Sequence, residues 1–224
     1  MPAPAQSQPA ESPAFPQVRR SRDHPIEMKV RIEFVRLAYH ELNTTALASA
    51  LLALAYAVTL DVLDFGRAEW IWFGCVVAIT ATQYGLATAF RRADPGPALN
   101  PQWGLRFITT TTLLAAAFGS LVWIFPPLSV APYRTAHILV LAGLTTASAR
   151  ALLPMRKGNL IYLLVLMLPL ALRFFLQGDL LGIILGACVT IYVGFTGFTN
   201  LRSHHTLSDA FVQRFEREAL AEKL

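Results

Sequence analysis

The sequence predicts an all-α fold: a polytopic membrane bundle of six transmembrane helices with both termini on the cytoplasmic side. Three observations predict it. Apolar residues gather into six long blocks in a chain that is 54% hydrophobic, only 15% charged and has a mean hydropathy of +0.47. A soluble domain carries roughly 25% charged residues. Of the 19 Lys and Arg residues, only Arg67, Arg134 and Arg173 fall in the first, third and fifth connections between blocks. All the others lie in the N-terminal segment, the second and fourth connections, the C-terminal tail or span ends next to those regions. Basic residues resist translocation, so this alternation puts both ends of the chain inside. Trp70, Trp72, Trp103, Trp123 and Tyr133 gather near block ends, where amphipathic rings sit at a membrane interface.

Residues 1–25 are rich in Pro and Ala, with Pro2, Pro4, Pro9, Pro13, Pro16 and Pro25, and read as a disordered arm. They lack the apolar run of a signal peptide. Over residues 26–41, Ile26, Val30, Phe34 and Leu37 recur at helical spacing among charged residues. That pattern predicts an amphipathic helix lying on the inner leaflet. The six spans are expected at about 42–63, 68–90, 105–125, 134–153, 158–177 and 179–201, together a membrane domain over residues 42–201. Each is long enough to cross about 30 Å of hydrocarbon at about 1.5 Å per residue.

The connections follow. The first, with Asp61, Asp64, Arg67 and Glu69, is outside, and the second, Arg91 to Pro97, is inside. Pro126, Pro127 and Pro132 mark the outer third connection, and Pro154-Met155-Arg156-Lys157-Gly158 makes a basic inner turn. Gln177-Gly178-Asp179 closes the last outer turn. The fourth span is diluted by Arg134, His137 and Arg150, but without it every later connection would change sides. In residues 202–224, Leu207, Phe211, Phe215 and Ala219 recur every fourth position, which predicts a cytoplasmic amphipathic coupling helix.

Chemistry is sparse. There is no Gly-rich phosphate loop, HExxH pair, CxxC pair or GxSxG elbow, so neither a catalytic residue, a cofactor nor a metal is expected. Cys75 and Cys188 read as small buried apolar residues of spans. His40, at the mouth of the first span, reads as an interfacial ring, and His204-His205 as a solvated pair. A phospho-acceptor role for His40 would need a dimerisation helix and an ATP-binding domain for which this chain has no room. The basic pI of about 9.6 reflects membrane topology and lipid head groups, so the bilayer is the expected partner and nucleic acid is not. Ionisable groups at span ends are costly to bury, and Asp61, His137, Arg173 and Asp179 are expected to form an outward-facing sensory pocket.

Several short stretches carry a resemblance: Arg36-Leu37-Ala38-Tyr39, Trp103-Gly104-Leu105-Arg106-Phe107, Gly119 to Pro126, Leu168-Pro169, and Phe211-Val212-Gln213-Arg214-Phe215-Glu216. In these the chain resembles the six-span N-terminal membrane sensor region of bacterial GGDEF-type diguanylate cyclases and hybrid sensor histidine kinases. It departs from that pattern at Arg217, where the family has Asn, and the sequence holds no output domain. The resemblance implies a non-enzymatic sensory module of a bacterial inner membrane. Such a module would pass a conformational signal through its C-terminal helix to an output domain, a protein partner or a second copy. An assembly subunit of a larger membrane complex is the alternative. A transporter fits less well, because no matching pair of broken helices is evident.

Overall fold

The computed structural model describes residues 17–62, 67–93, 101–125 and 131–221. Among these there is no strand. The elements are α1 (Gln17–Val62), α2 (Ala68–Arg92), α3 (Pro101–Gly119), α4 (Leu121–Ile124), α5 (Ala131–Leu152), α6 (Arg156–Gln177) and α7 (Leu180–Ala221). Five helical segments are long and apolar enough to cross a membrane: Met28–Val62, Ala68–Arg92, Gln102–Ile124, Arg156–Gln177 and Leu180–Phe215. α5 is helical where the fourth span is expected, yet it is not among the five.

Side-chain contacts give the direction of each rod. Tyr39 stacks on Phe90 at 4.2 Å, while Trp70 Nε1–H donates to Asp61 at the other end of the α1–α2 pair, so these helices are antiparallel. Phe90–Trp103 and Trp72–Phe118 contacts do the same for α2 and α3. At its start α5 meets α1 through His137 and Tyr56, and at its end it meets α6 through Ser148 and Tyr162. It therefore runs from one end of the bundle to the other like its neighbours. Phe34, near the start of α1, packs on Phe211 near the end of α7. The end holding those two residues is called the terminal end below, and the opposite one the distal end.

Two sequence boundaries need correction. The arm was expected to reach residue 25, but α1 begins at Gln17; residues 1–16 lie outside the described residues. The helix expected on the leaflet at 26–41 is not a separate element. No Gly or Pro interrupts residues 26–62, so helix propagates straight into the span. Its apolar stripe is not left for lipid either: Val30 and Phe34 are buried, Phe34 against His204 and Phe211 of α7. Likewise the 202–224 helix is the continuation of α7 as far as Ala221.

The breaks have local causes. Gly178 takes φ +72°, the left-handed conformation that suits glycine, and ends α6. Asp179 then caps α7, its carboxylate accepting from the Gly182 N–H at 2.9 Å. Pro169 inside α6 has no N–H for the carbonyl of Val165. That carbonyl faces Gly119 so closely that a β-carbon there would sit 2.7 Å from it. The helix end of α3 and the proline of α6 thus fit one another, and α3 gives way to α4 at Ser120. The core around them holds Phe107, Leu114, Phe118, Leu166, Leu170 and Phe174.

Candidate functional site

At the distal end three helices, α1, α2 and α5, bring polar groups into an aromatic core. α1 contributes Tyr56 on the buried stripe Ala53, Tyr56, Ala57 and Leu60. α2 contributes Glu69 and Trp72, α4 is followed by Phe125, and α5 contributes His137. The Tyr56 hydroxyl lies 3.0 Å from His137 Nε2 and 3.2 Å from Nδ1. His137 Nε2 also lies 3.4 Å from the Leu121 carbonyl, so a neutral ring can accept from Tyr56 while its N–H faces that carbonyl. Tyr56 packs edge-on to Trp72 and Phe125, and Trp72 donates to the Ala117 carbonyl at 2.8 Å.

Glu69 changes the chemistry of this end. It is fully buried, and neither carboxylate oxygen has a hydrogen-bond partner among the described residues. It stands one turn from Trp72 on the same face of α2. A buried carboxylate without a partner is costly and marks a candidate functional group. Reading Glu69 as a loop residue missed it. The signal was present: Glu69, Trp72, Val76, Thr80, Gln83 and Ala87 follow one another at spacings of three and four, and all are buried. Gln83 and Ser49 are also buried with unpartnered side-chain atoms.

The expected pocket does not converge. Asp61, Arg173 and Asp179 share the distal end with His137, but each has its own contact. Asp61 is exposed and accepts from Trp70 at 3.0 Å. The Arg173 guanidinium lies over the Trp123 ring at 5.1 Å. Asp179 is spent as the cap of α7. Arg173 and Asp179 are not within ion-pair distance of each other, unlike Glu33 and Arg36. No group of three His, Cys, Asp or Glu side chains among them could hold a metal ion. Cys75 and Cys188, expected to be buried, are both exposed and unbonded.

At the terminal end the residues of the coupling helix are half-buried. Phe211 meets Phe34 at 5.6 Å and stacks with Phe215 at 6.3 Å, and Leu207 lies one turn before Phe211. His204, read as solvated, brackets this junction: its Nδ1 lies 3.0 Å from the Leu153 carbonyl and its ring packs on Phe34.

The stretches that carried the family resemblance are largely contact partners. Tyr39 donates to the Trp103 carbonyl at 2.8 Å and packs on Phe107, while Gly119 seats against Pro169. No family model, curated protein or solved structure matches this chain.

Proposed function

We propose that the chain is a non-enzymatic sensory and coupling module of a bacterial inner membrane, crossing it six times with both termini cytoplasmic. The observation that carries this reading is the continuity of α7. One helix of 42 residues, about 63 Å long at about 1.5 Å per residue, joins the distal turn to a cytoplasmic extension. A hydrocarbon core of about 30 Å holds only half of it. A rigid rod transmits a shift at one end to the other, provided a stimulus binds two bundle states unequally. The distal group of Glu69, Tyr56 and His137 is the receiving site in this reading. The end-to-end course of α5 supports a sixth crossing, and its His137 and Ser148 are accommodated because the helix packs against α1 and α6 rather than lipid alone. The basic terminal end supports the cytoplasmic assignment.

The test needs no known stimulus. A diguanylate cyclase domain is fused after Leu224, and one to four alanines are inserted between Asn200 and Leu201. Cyclic di-GMP output is expected to rise and fall with the roughly 3.6-residue helical period. Glu69→Gln is expected to shift the basal output. Output indifferent to every insertion would reject coupling through α7 and favour the assembly-subunit reading, which co-purification of a stoichiometric complex would support.

A further inference from the structure

We propose that the outward groove between α1 and α2 seats one acyl chain of an anionic phospholipid, whose phosphate is held by Arg91 and Arg92. The groove encloses about 450 Å³ and lies on the surface of the bundle. It is lined by the small residues Ala46, Ala50 and Ala81 and by the larger Leu47, Val77 and Tyr84. Leu47 and Tyr84 are well exposed, so the groove opens sideways to the bilayer rather than into the bundle.

Its two ends differ. Toward the middle of the bundle it is apolar, ending at Ala50 and Val77. Toward the terminal end it reaches Asn43 and Thr44. With its amide turned so that oxygen faces the guanidinium, Asn43 accepts from both terminal nitrogens of Arg91 at 2.8 and 2.9 Å. Tyr84, Thr88 and Arg91 follow one another on one face of α2, and Arg91 lies 3.4 Å from the Thr88 hydroxyl. Arg91 and Arg92 are both exposed, and neither has a carboxylate within ion-pair distance among the described residues. Arg91, held by Asn43 at the polar end of an apolar trough that follows the helix axes, and Arg92 next to it in sequence complement a phosphate followed by a hydrocarbon chain.

Dimensions favour a chain over a helix. Seven residues separate Asn43 from Ala50, which is about 10 Å of trough at about 1.5 Å per residue. A second helix, about 10 Å across with its side chains, is too wide for a groove of this volume over that length. The assignment is independent of the sensory reading and asks only that the terminal end of α2 lie at a lipid head-group layer.

The full chain is purified in detergent and offered dioleoylphosphatidylglycerol or dioleoylphosphatidylcholine, and bound lipid is counted by native mass spectrometry. Wild type is expected to retain one phosphatidylglycerol with about a tenfold preference. The double variant Arg91→Gln, Arg92→Gln is expected to lose that preference while phosphatidylcholine retention is unchanged. Ala81→Trp, which fills the groove from an exposed position, is expected to lower retention of both lipids. Glycerol phosphate, lacking acyl chains, is expected not to compete. Equal retention of the two lipids by wild type would overturn the proposal. So would unchanged preference in the double variant, full retention by Ala81→Trp, or displacement by glycerol phosphate. A photoactivatable acyl chain on phosphatidylglycerol gives a second measurement on wild type alone. Cross-links within residues 43–50 or 77–91 support the seat, and cross-links confined to other segments reject it.

Discussion

α6 and α7 are neighbours joined by a tight turn, both are among the segments apolar enough to cross a membrane, and they are used in opposite ways. In α6, 44% of the most apolar stretch is buried, against 17% in α7. α6 buries Tyr162, Leu163, Leu166, Met167, Leu170 and Phe174 and lies at the centre of the bundle. Among the described residues of α7 those that are buried are Gly182, Gly186 and Gly197, while Ile183, Ile184, Ile191, Phe195 and Phe198 are exposed. In a bilayer, lipid tails are as apolar as leucine, so hydrophobicity does not decide which helix goes inside. Shape and polar satisfaction do. Large side chains of α6 meet complementary surfaces from α3 and α5, whereas α7 packs on the core through one partly buried face, Leu185, Val189, Tyr192 and Val193, and comes closest to α6 at Gly182 and Gly186.

The largest break in this comparison is expected from removing one aromatic ring on each helix. Phe174→Ala in α6 should lower stability by about 3–5 kcal/mol, the usual range for a buried Phe. Phe195→Ala on the exposed face of α7 should change it by about 0.5 kcal/mol or less. Reversible unfolding in mixed micelles measures both, and equal losses would mean that the two helices are equally central. Next come the glycines of α7. A β-carbon at Gly182 meets Asp179 Oδ1 at 2.5 Å and the Phe174 carbonyl at 2.7 Å, while one at Gly194 meets nothing within 4 Å. Gly182→Leu should therefore cost about 2–3 kcal/mol, and Gly194→Leu should be neutral or slightly stabilising in the same assay.

A smaller effect should separate the distal site from the packing around it. Tyr56→Phe keeps the ring and removes the hydroxyl beside His137, with an expected loss of about 1 kcal/mol. A larger loss would show that this hydroxyl holds α1 and α5 together. Phe211→Ala at the clamp on Phe34 is expected to lower global stability by about 1 kcal/mol or less. Its signature should be faster hydrogen exchange over residues 204–221, with exchange in α6 unchanged. Unchanged protection there would mean that the α7 extension does not depend on the clamp.

Much of this architecture is legible in the residues. Uninterrupted apolar blocks specify long helices, Gly178 and Asp179 announce the last turn, and Leu207, Phe211 and Phe215 mark a helix with one apolar side. What failed had a common cause. The 26–41 stripe reads as lipid-facing, yet Phe34 of that stripe packs on Phe211 of α7, far away along the chain. The four charged and polar residues proposed as a pocket were grouped by depth alone. Depth puts groups in one layer but not on facing sides of their helices, and Trp70, Trp123 and Gly182 engaged three of them separately. Glu69 was lost because a carboxylate near a Pro-free polar turn reads as solvated, although its spacing to Trp72 and Val76 placed it on the buried face.

By itself, the sequence determined that this chain is helical and that most of its helices are suited to a bilayer, because helix propensity and hydrocarbon thickness act on local runs of residues. Only the tertiary structure decided which apolar faces meet protein and which meet lipid. It alone set Gly119 against the carbonyl freed by Pro169, buried Glu69 beside Trp72 and brought the start of α1 to the end of α7. Those outcomes depend on close contact between distant segments, and no local pattern of hydrophobicity contains them.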